Sequence, residues 1–296
     1  MKLSVIIVHH KTPELLRLCL KSLKNYIPKE FSHEIIMVDS ESTRESQDIV
    51  FEDYLPIFAS KNRGSSTSTE SSVGTDIKLV TFKENIGYAK GINAGILASS
   101  GQYILILNPD IIIREETVKR MLDFMEAHPK IGILGPQLLD FNGTVQRSYF
   151  RFYTPLTILA RRTFLGKLPF LRKAQEKFLM LETNPSQVQH PDWIMGSALM
   201  ISRIGIEQIG MMDERFFLYF EDVDWARRFW ENGYKVVYYP EAKMYHYHQR
   251  RSRAGFDIFD LFIRKETRWH IKSAIKYFIK YGLRKSHSKK LEIAYL

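Results

Sequence analysis

The sequence predicts an α/β domain: a mostly parallel sheet flanked by helices. Three observations carry this. "LSVIIV", "HEIIMVD", "DIKLVTF" and "QYILIL" are near-continuous apolar runs of strand length, the pattern of strands covered on both faces. Segments with helical patterning, Pro13 to Tyr26, Tyr88 to Ala98 and Glu115 to Ala127, lie between or after them, and this alternation favours parallel pairing. The chain has 296 residues, 45% of them hydrophobic, enough for a sizeable core.

Each element has its own warrant. "MKLSVIIVHHKTPELL" is too short in its apolar run for a secretory leader and reads as a first buried strand. Pro13 suits the opening of the first helix. Within that helix, Cys19 reads as a small core hydrophobe. It is the sole cysteine, which excludes an internal disulfide and a multi-cysteine metal site and favours a reducing cytoplasm. The second strand ends on Asp39. "ASKNRGSSTSTESSVGT", from Ala59 to Thr75, is Ser/Thr/Gly-rich and reads as a surface insertion.

After Gly135 the regular alternation lapses. "PDWIMGSALMISR" predicts one or two strands, "EDVDWARRFWENG" a helix closed by Gly233, and "YKVVYYP" another strand. Residues from Phe256 onward read as helical. No stretch approaches the roughly 20 apolar residues that cross a bilayer. The expected organisation is a body over residues 1–255 and a basic helical tail over 256–296.

The net charge is +10, and it belongs to the tail. Between Arg264 and Lys290 stand ten Lys or Arg residues and one acid, Glu266, so the body is nearly neutral. Arg268, Lys272, Lys276, Lys280 and Arg284 fall four apart on one helical stripe, with Trp269, Ile275, Phe278 and Ile279 on other faces. Such a helix suits an anionic membrane surface, or it is a solvated face packed on the body. "RRTFLGKLPFLRK", from Arg161 to Lys173, repeats the mixture. Nucleic acid ranks lower, because the body carries no recognised motif for it.

Polar residues collect where ligands bind in such sheets, beyond the carboxyl ends of the strands. His9, His10, Asp39 and the Asn108–Pro109–Asp110 stretch are placed there. Asp110 is either part of a strand-ending turn or a carboxylate poised to hold a divalent cation. Gly87, Gly91 and Gly95 recur every four residues around Lys90 and Asn93, for tight packing or for ligand approach. Glu221, Asp222 and Asp224 crowd the start of a helix among Phe217, Phe220 and Trp225. One acid suffices as a cap; three together suggest a proton acceptor as well. His246 and His248 alternate on a strand, where either could meet a metal or a phosphate.

In their order, "SVIIVHHKTPELLRLCLKSL", "MVDSES", "NIGYAKGINAGI", "LNPD", "WIMGSALMISR", "GMMDERFFLYFEDVDWARRFWENGY" and His246 resemble the family 2 glycosyltransferases of the Rossmann-like GT-A fold, most of all their rhamnosyltransferase-type branch. The resemblance covers Ser4 to about Ser252. It implies an inverting transfer of a sugar, with rhamnose a candidate, from a dTDP- or UDP-sugar to a glycan or lipid-linked acceptor in surface polysaccharide biosynthesis. Asp222 would be the catalytic base, with Glu221 beside it. Asp110 and His246 would hold Mg²⁺ or Mn²⁺ on the diphosphate. Asp39 would contact the base or ribose, and His9, Lys90, Asn93 and Asn108 fall on the same donor side. Trp193, Gly196 and Asp224 would border sugar and acceptor. The implied location is cytoplasmic, at the inner face of the membrane.

Two rivals stand beside it. A sugar-phosphate nucleotidylyltransferase would want a Gly-rich, Arg/Lys-bearing loop after the first strand, and "HHKTPELL" has no glycine. A non-catalytic membrane- or nucleic-acid-binding protein gives no reason for Asp110, Asp222 and His246 at element ends.

Overall fold

The computed structural model describes residues 2–28, 30–48, 75–162, 168–247 and 265–282. Its centre is an eight-stranded sheet in the order β3-β2-β1-β4-β9-β6-β10-β5. The strands are β1 (Leu3–His9), β2 (His33–Asp39), β3 (Thr75–Thr81), β4 (Tyr103–Leu107), β5 (Ile111–Ile113), β6 (Ile131–Leu139), β9 (Ala198–Ser202) and β10 (Lys235–His246). A two-stranded ladder pairs β7 (Tyr149–Phe150) with β8 (Trp193–Ile194). The helices are α1 (Pro13–Tyr26), α2 (Tyr88–Ala98), α3 (Thr117–Ala127), α4 (Pro155–Arg162), α5 (Pro169–Phe178), α6 (Arg203–Ile209), α7 (Glu221–Glu231) and α8 (Lys265–Tyr281).

β1, β2 and β6 are buried at every position, as the apolar runs at the centres of β1 and β2 predict. Two cores result, one per face. Leu16, Cys19, Leu20 and Leu23 of α1 and Met121, Leu122 and Met125 of α3 close one face. Ile92 and Ile96 of α2 and Val223, Ala226 and Phe229 of α7 close the other. Each such side chain contributes roughly 1.5–3 kcal/mol by leaving water. Cys19 is buried as expected, and burial pushes its thiol well up from its usual range.

The glycine repeat resolves into packing. A Cβ on Gly91 would lie 2.8 Å from Val8 and one on Gly95 2.4 Å from Ile6, so both let α2 settle onto β1.

The sheet is more mixed than its first four strands suggest. β3, β2, β1 and β4 run parallel, as do β6 and β10. β9 runs antiparallel to both β4 and β6, and β5 antiparallel to β10. This reversal positions the site. The carboxyl ends of the parallel strands bring Asp39, His9, Asn108 and His246 to one rim. The amino ends of the antiparallel strands bring Gly196, Ser197 and Asp110 to the same rim, with Leu107 opposite Ala198 and Ile111 opposite His246.

β10 extends beyond the run that announced it. Its register shifts between Tyr239 and Lys243, at Pro240, which has no N–H for the ladder. The expected surface insertion after Ala59, His248, Arg284 and the 255/256 boundary fall outside the described residues. Among the described residues no helix is long and apolar enough to cross a membrane.

Candidate active site

Asp222 enters the rim from the first turn of α7. Its Oδ2 accepts the Gly196 N–H at 3.0 Å and its Oδ1 the Val223 N–H at 2.8 Å. Gly196 is held in turn by Tyr88, whose hydroxyl donates to the Gly196 carbonyl at 2.6 Å. One residue further, the Ser197 carbonyl accepts the Asn108 N–H at 2.8 Å. A short path of backbone thus joins the Asp222 carboxylate to the loop that carries Asp110.

The electrostatics separate the two leading acids. Burial pushes the Asp222 carboxyl up to about 6, against the N–H groups of Gly196 and Val223, which favour its ionised form. Glu221 is more deeply buried. Burial first, and the Asp222 charge second, hold it well above the usual carboxylate range. Both shifts favour the protonated form, that of Glu221 the more strongly, so of the two acids Asp222 gives up its proton first. Burial and then the charges of Glu221, Asp222 and Asp110 raise the Tyr88 phenol, which stays protonated.

The backbone that delivers this pair is strained. Tyr219 and Phe220 have φ of 68° and 69°, left-handed positions that cost a non-glycine residue roughly 1–2 kcal/mol each. No side chain caps the helix they precede.

Asp110 and His246 form the second centre. His246 Nε2 lies 3.6 Å from Asp110 Oδ2, too far for a direct hydrogen bond. The Gln146 amide fixes the imidazole. Its nitrogen donates to Asp140 Oδ1 and to the His246 carbonyl, so its oxygen receives the His246 Nδ1–H at 2.8 Å. In the neutral ring Nε2 then presents its lone pair toward Asp110. Asp110 Oδ1 is buried and has no hydrogen-bond partner. An orphaned carboxylate oxygen beside an oriented imidazole fits a divalent cation that takes its remaining ligands from phosphate oxygens and water. Among the described residues no group of three or more ligating side chains completes a closed metal site.

Other expected site residues sit differently. Asp39 has no exposure and is bound by His9 Nδ1 at 2.9 Å and Ser46 Oγ at 2.5 Å. Burial pushes its carboxyl up, but hydrogen bonds from His9, Ser42 and Ser46 outweigh that and hold it low. His9 is equally committed, its Nε2 accepting the Thr12 N–H at 2.9 Å. This pair shapes the rim from beneath, and His10, Glu41 and Asn85 stand at the surface above it. Asn93 is a clamp between elements: it donates to the Met212 carbonyl and Glu214 and accepts the Met212 N–H. Trp193 stacks on Phe150 and on Tyr153 and donates to the Arg151 carbonyl. Lys90 is exposed on α2, and Asn108 is partly exposed at the end of β4.

Asp224 is the clearest correction. Residues two apart on a helix face nearly opposite ways. Asp224 accordingly turns from the rim, fully buried, onto Lys280 at 2.6 Å, Tyr281 at 2.7 Å and Arg228 at 2.9 Å. It is occupied within the protein rather than open to a substrate. Sequence reasoning missed Tyr88 and Gln146. Neither carries a spacing that could have marked it, since each acts on a residue more than 90 positions away.

The fold so assembled is that of the GT-A glycosyltransferases. GalNAc-T7, in a structure with UDP, GalNAc and Mn²⁺, superimposes with a TM-score of 0.60 at 17% identity, covering 83% of this chain and 43% of that one. The chain belongs to glycosyl transferase family 2, whose description matches residues 4–182, and "Glycosyl transferase family group 2" matches residues 103–273. An N-acetylglucosaminyl-diphospho-decaprenol L-rhamnosyltransferase of Mycobacterium tuberculosis is 28% identical over 184 residues, 58% of this chain and 59% of the relative. A dTDP-rhamnosyl transferase of Shigella flexneri is 26% identical over 173 residues, 57% of this chain and 52% of the relative. The matches thus span between about half and three-fifths of each relative's own length.

Proposed function

We propose that residues 1–255 form an inverting glycosyltransferase that moves a sugar from a nucleoside diphosphate sugar to a hydroxyl of a glycan or lipid-linked acceptor. One observation carries the reading: the Asp222 carboxylate, held by the Gly196 and Val223 N–H groups and pushed up to about 6 by burial, stands at the same rim as Asp110 and His246. An alcohol is a poor nucleophile near pH 7. Asp222 takes its proton as the acceptor oxygen bonds to the anomeric carbon, and the bond to the diphosphate oxygen breaks on the opposite face, inverting that carbon. The backbone N–H groups of Gly196 and Val223 keep the carboxylate aimed. Asp110 and His246 would hold Mg²⁺ or Mn²⁺, which supplies charge neutralisation for the departing diphosphate. The rhamnosyl activities of the two relatives support a dTDP-rhamnose donor and an acceptor on a diphospho-lipid.

The test is a panel of dTDP-, UDP- and GDP-sugars with Mg²⁺ or Mn²⁺, scored for release of the nucleoside diphosphate in the presence of a lipid-diphosphate GlcNAc acceptor. Release from dTDP-rhamnose above the others is expected, and no release from any donor would sink the reading. Asp110→Asn should weaken Mn²⁺-dependent binding of the nucleoside diphosphate about tenfold or more and leave metal-free binding unchanged. An equal loss with and without Mn²⁺ would remove Asp110 from the metal site.

A place on an anionic membrane face belongs to the same proposal, with a revised surface. Lys276 donates to the Arg215 carbonyl and Lys280 is paired with Asp213 and Asp224, so much of the tail stripe is turned to the body. Arg268, Lys272, Ile275 and Ile279 remain exposed, and an outward face of that kind binds anionic lipid. Arg268→Glu with Lys272→Glu should reduce sedimentation with phosphatidylglycerol vesicles. Unchanged sedimentation would discard this face.

A further inference from the structure

α8 touches the strained loop before Asp222 at almost every residue. Lys276 Nζ donates to the Arg215 carbonyl at 2.6 Å and Ser273 Oγ to the Leu218 carbonyl at 2.9 Å. Trp269 packs on Phe217 at 4.9 Å, His270 on Tyr219 and Phe220, each at 5.2 Å, and Tyr277 on Phe220 at 5.4 Å. On its other side the same loop meets α2, where the Phe217 carbonyl accepts the Tyr88 N–H at 2.8 Å. The loop is held between two helices, one of which carries the phenol that fixes Gly196.

The last turn of α8 is pinned to the first turn of α7. Lys280 and Tyr281 bind one oxygen of Asp224, and Arg228 binds the other. Lys280 also reaches Asp213 at 2.7 Å, which anchors the start of the loop through the same ammonium. Arg227 lies 3.9 Å from the Tyr281 ring centroid, adding a cation–π contact to the junction. Adjacent left-handed residues persist only where their surroundings leave them no relaxed alternative. Here α8 supplies those surroundings, and Asp224, two residues from Asp222, is where it grips.

We propose that Lys280 and Tyr281, acting through Asp224, are positioning residues for Asp222. They fasten α8 across residues 213–220 and so hold the loop in the one backbone form that points Asp222 into the cleft. This rests on the reading of Asp222 as the base. It gives the third acid of the cluster a role the first two do not share, and it makes part of the tail a working component of the catalytic body.

The test uses the full chain with Lys280→Met combined with Tyr281→Phe. Asp224 keeps its Arg228 partner in this variant, so no lone charge is buried. Transfer should show kcat reduced tenfold or more, with KM for the nucleotide sugar within twofold of wild type and nucleoside diphosphate binding unchanged. Lys280→Arg with Tyr281 intact should recover most of kcat. In hydrogen exchange, Tyr281→Phe alone, which removes a single oxygen, should speed the amides of residues 218–223 while those of β1 and β4 keep their rates. A folded double variant with normal kcat, or one whose kcat and donor binding fall together with its melting temperature, overturns the proposal. So does an unchanged exchange rate at residues 218–223 in Tyr281→Phe. Asp222→Asn assayed alongside separates the two readings. If it transfers normally, the base assignment fails. If it is inactive while the double variant is normal, only the positioning role fails.

Discussion

Asp222→Asn should lower kcat by about 10²–10⁴-fold, the usual contribution of a positioned proton acceptor, while donor binding is retained. The amide keeps the size of the carboxylate and can still accept the Gly196 N–H, so the rim holds its shape. The same change should make the protein more stable above pH 6. The Asp222 carboxyl is raised from 3.8 to about 6, so the folded state disfavours its ionised form. Native stability therefore falls as pH rises from about 4 to about 6, by up to about 3 kcal/mol. Asn removes that loss but gives up one acceptor, to the Val223 N–H, worth about 1 kcal/mol. A net gain of about 1–2 kcal/mol at pH 7.5 is expected in denaturant melts, disappearing at pH 4. For the wild type, kcat should decline below about pH 6. An acid limb near pH 4, or a variant with undiminished kcat, would remove Asp222 from proton transfer.

Gly87→Ala should be among the most damaging single-methyl additions in the chain. Gly87 has φ 81° and ψ 167°, a region that side-chain-bearing residues enter at a cost of about 1–3 kcal/mol. Its new Cβ would also stand 2.6 Å from the Phe217 carbonyl oxygen and 2.7 Å from the Phe217 ring, and overpacking adds about 1–3 kcal/mol. The total, about 2–6 kcal/mol, is a large share of ordinary domain stability. It should lower the melting temperature by about 3–10 °C. Gly143→Ala is the control. Gly143 also has a positive φ, 83°, but a Cβ there meets nothing within 4 Å, so only the backbone cost applies. Equal melting temperatures for the two variants would show that the Phe217 loop yields without resistance. A shift in Phe217 should also reach Asp222, and kcat should fall in whatever Gly87→Ala protein stays folded.

The first half of the fold was legible because β1, β2 and β4 are buried on both faces along most of their length and so spell themselves as apolar runs. β3, half-buried at the sheet edge, still carries enough apolar residues to read as a strand. α1 and α2 match the expected Pro13–Tyr26 and Tyr88–Ala98 spans. The second half was obscure for a physical reason. β6 contains two glycines and Pro136 within "IGILGPQLL", residues that ordinarily argue against a strand. Gly132 and Gly135 are there to admit Phe229 and Ile194, which no local pattern reveals. At the site, residues at element ends were readable as polar breaks in apolar context, which is how Asp110, Asp222 and His246 stood out. What each polar residue faces was not readable. Asn93, Asp224, Asp39 and His9 all have the right chemistry near the right place, yet each spends its hydrogen bonds on the protein itself.

β9 is a late arrival at the middle of the sheet. It lies between β4 and β6, although roughly 90 residues separate it from β4 along the chain. While the polypeptide is being made, at about 5–20 residues per second, β4 has no neighbour on that side for some 5–20 s. Two apolar strand edges then wait open toward each other, the condition in which nascent chains stick to one another. Translation speed and chaperone supply should accordingly govern the yield of this protein more than its final melting temperature does. A shortened version ending before residue 198 leaves that gap permanently unfilled and should be recovered as aggregate.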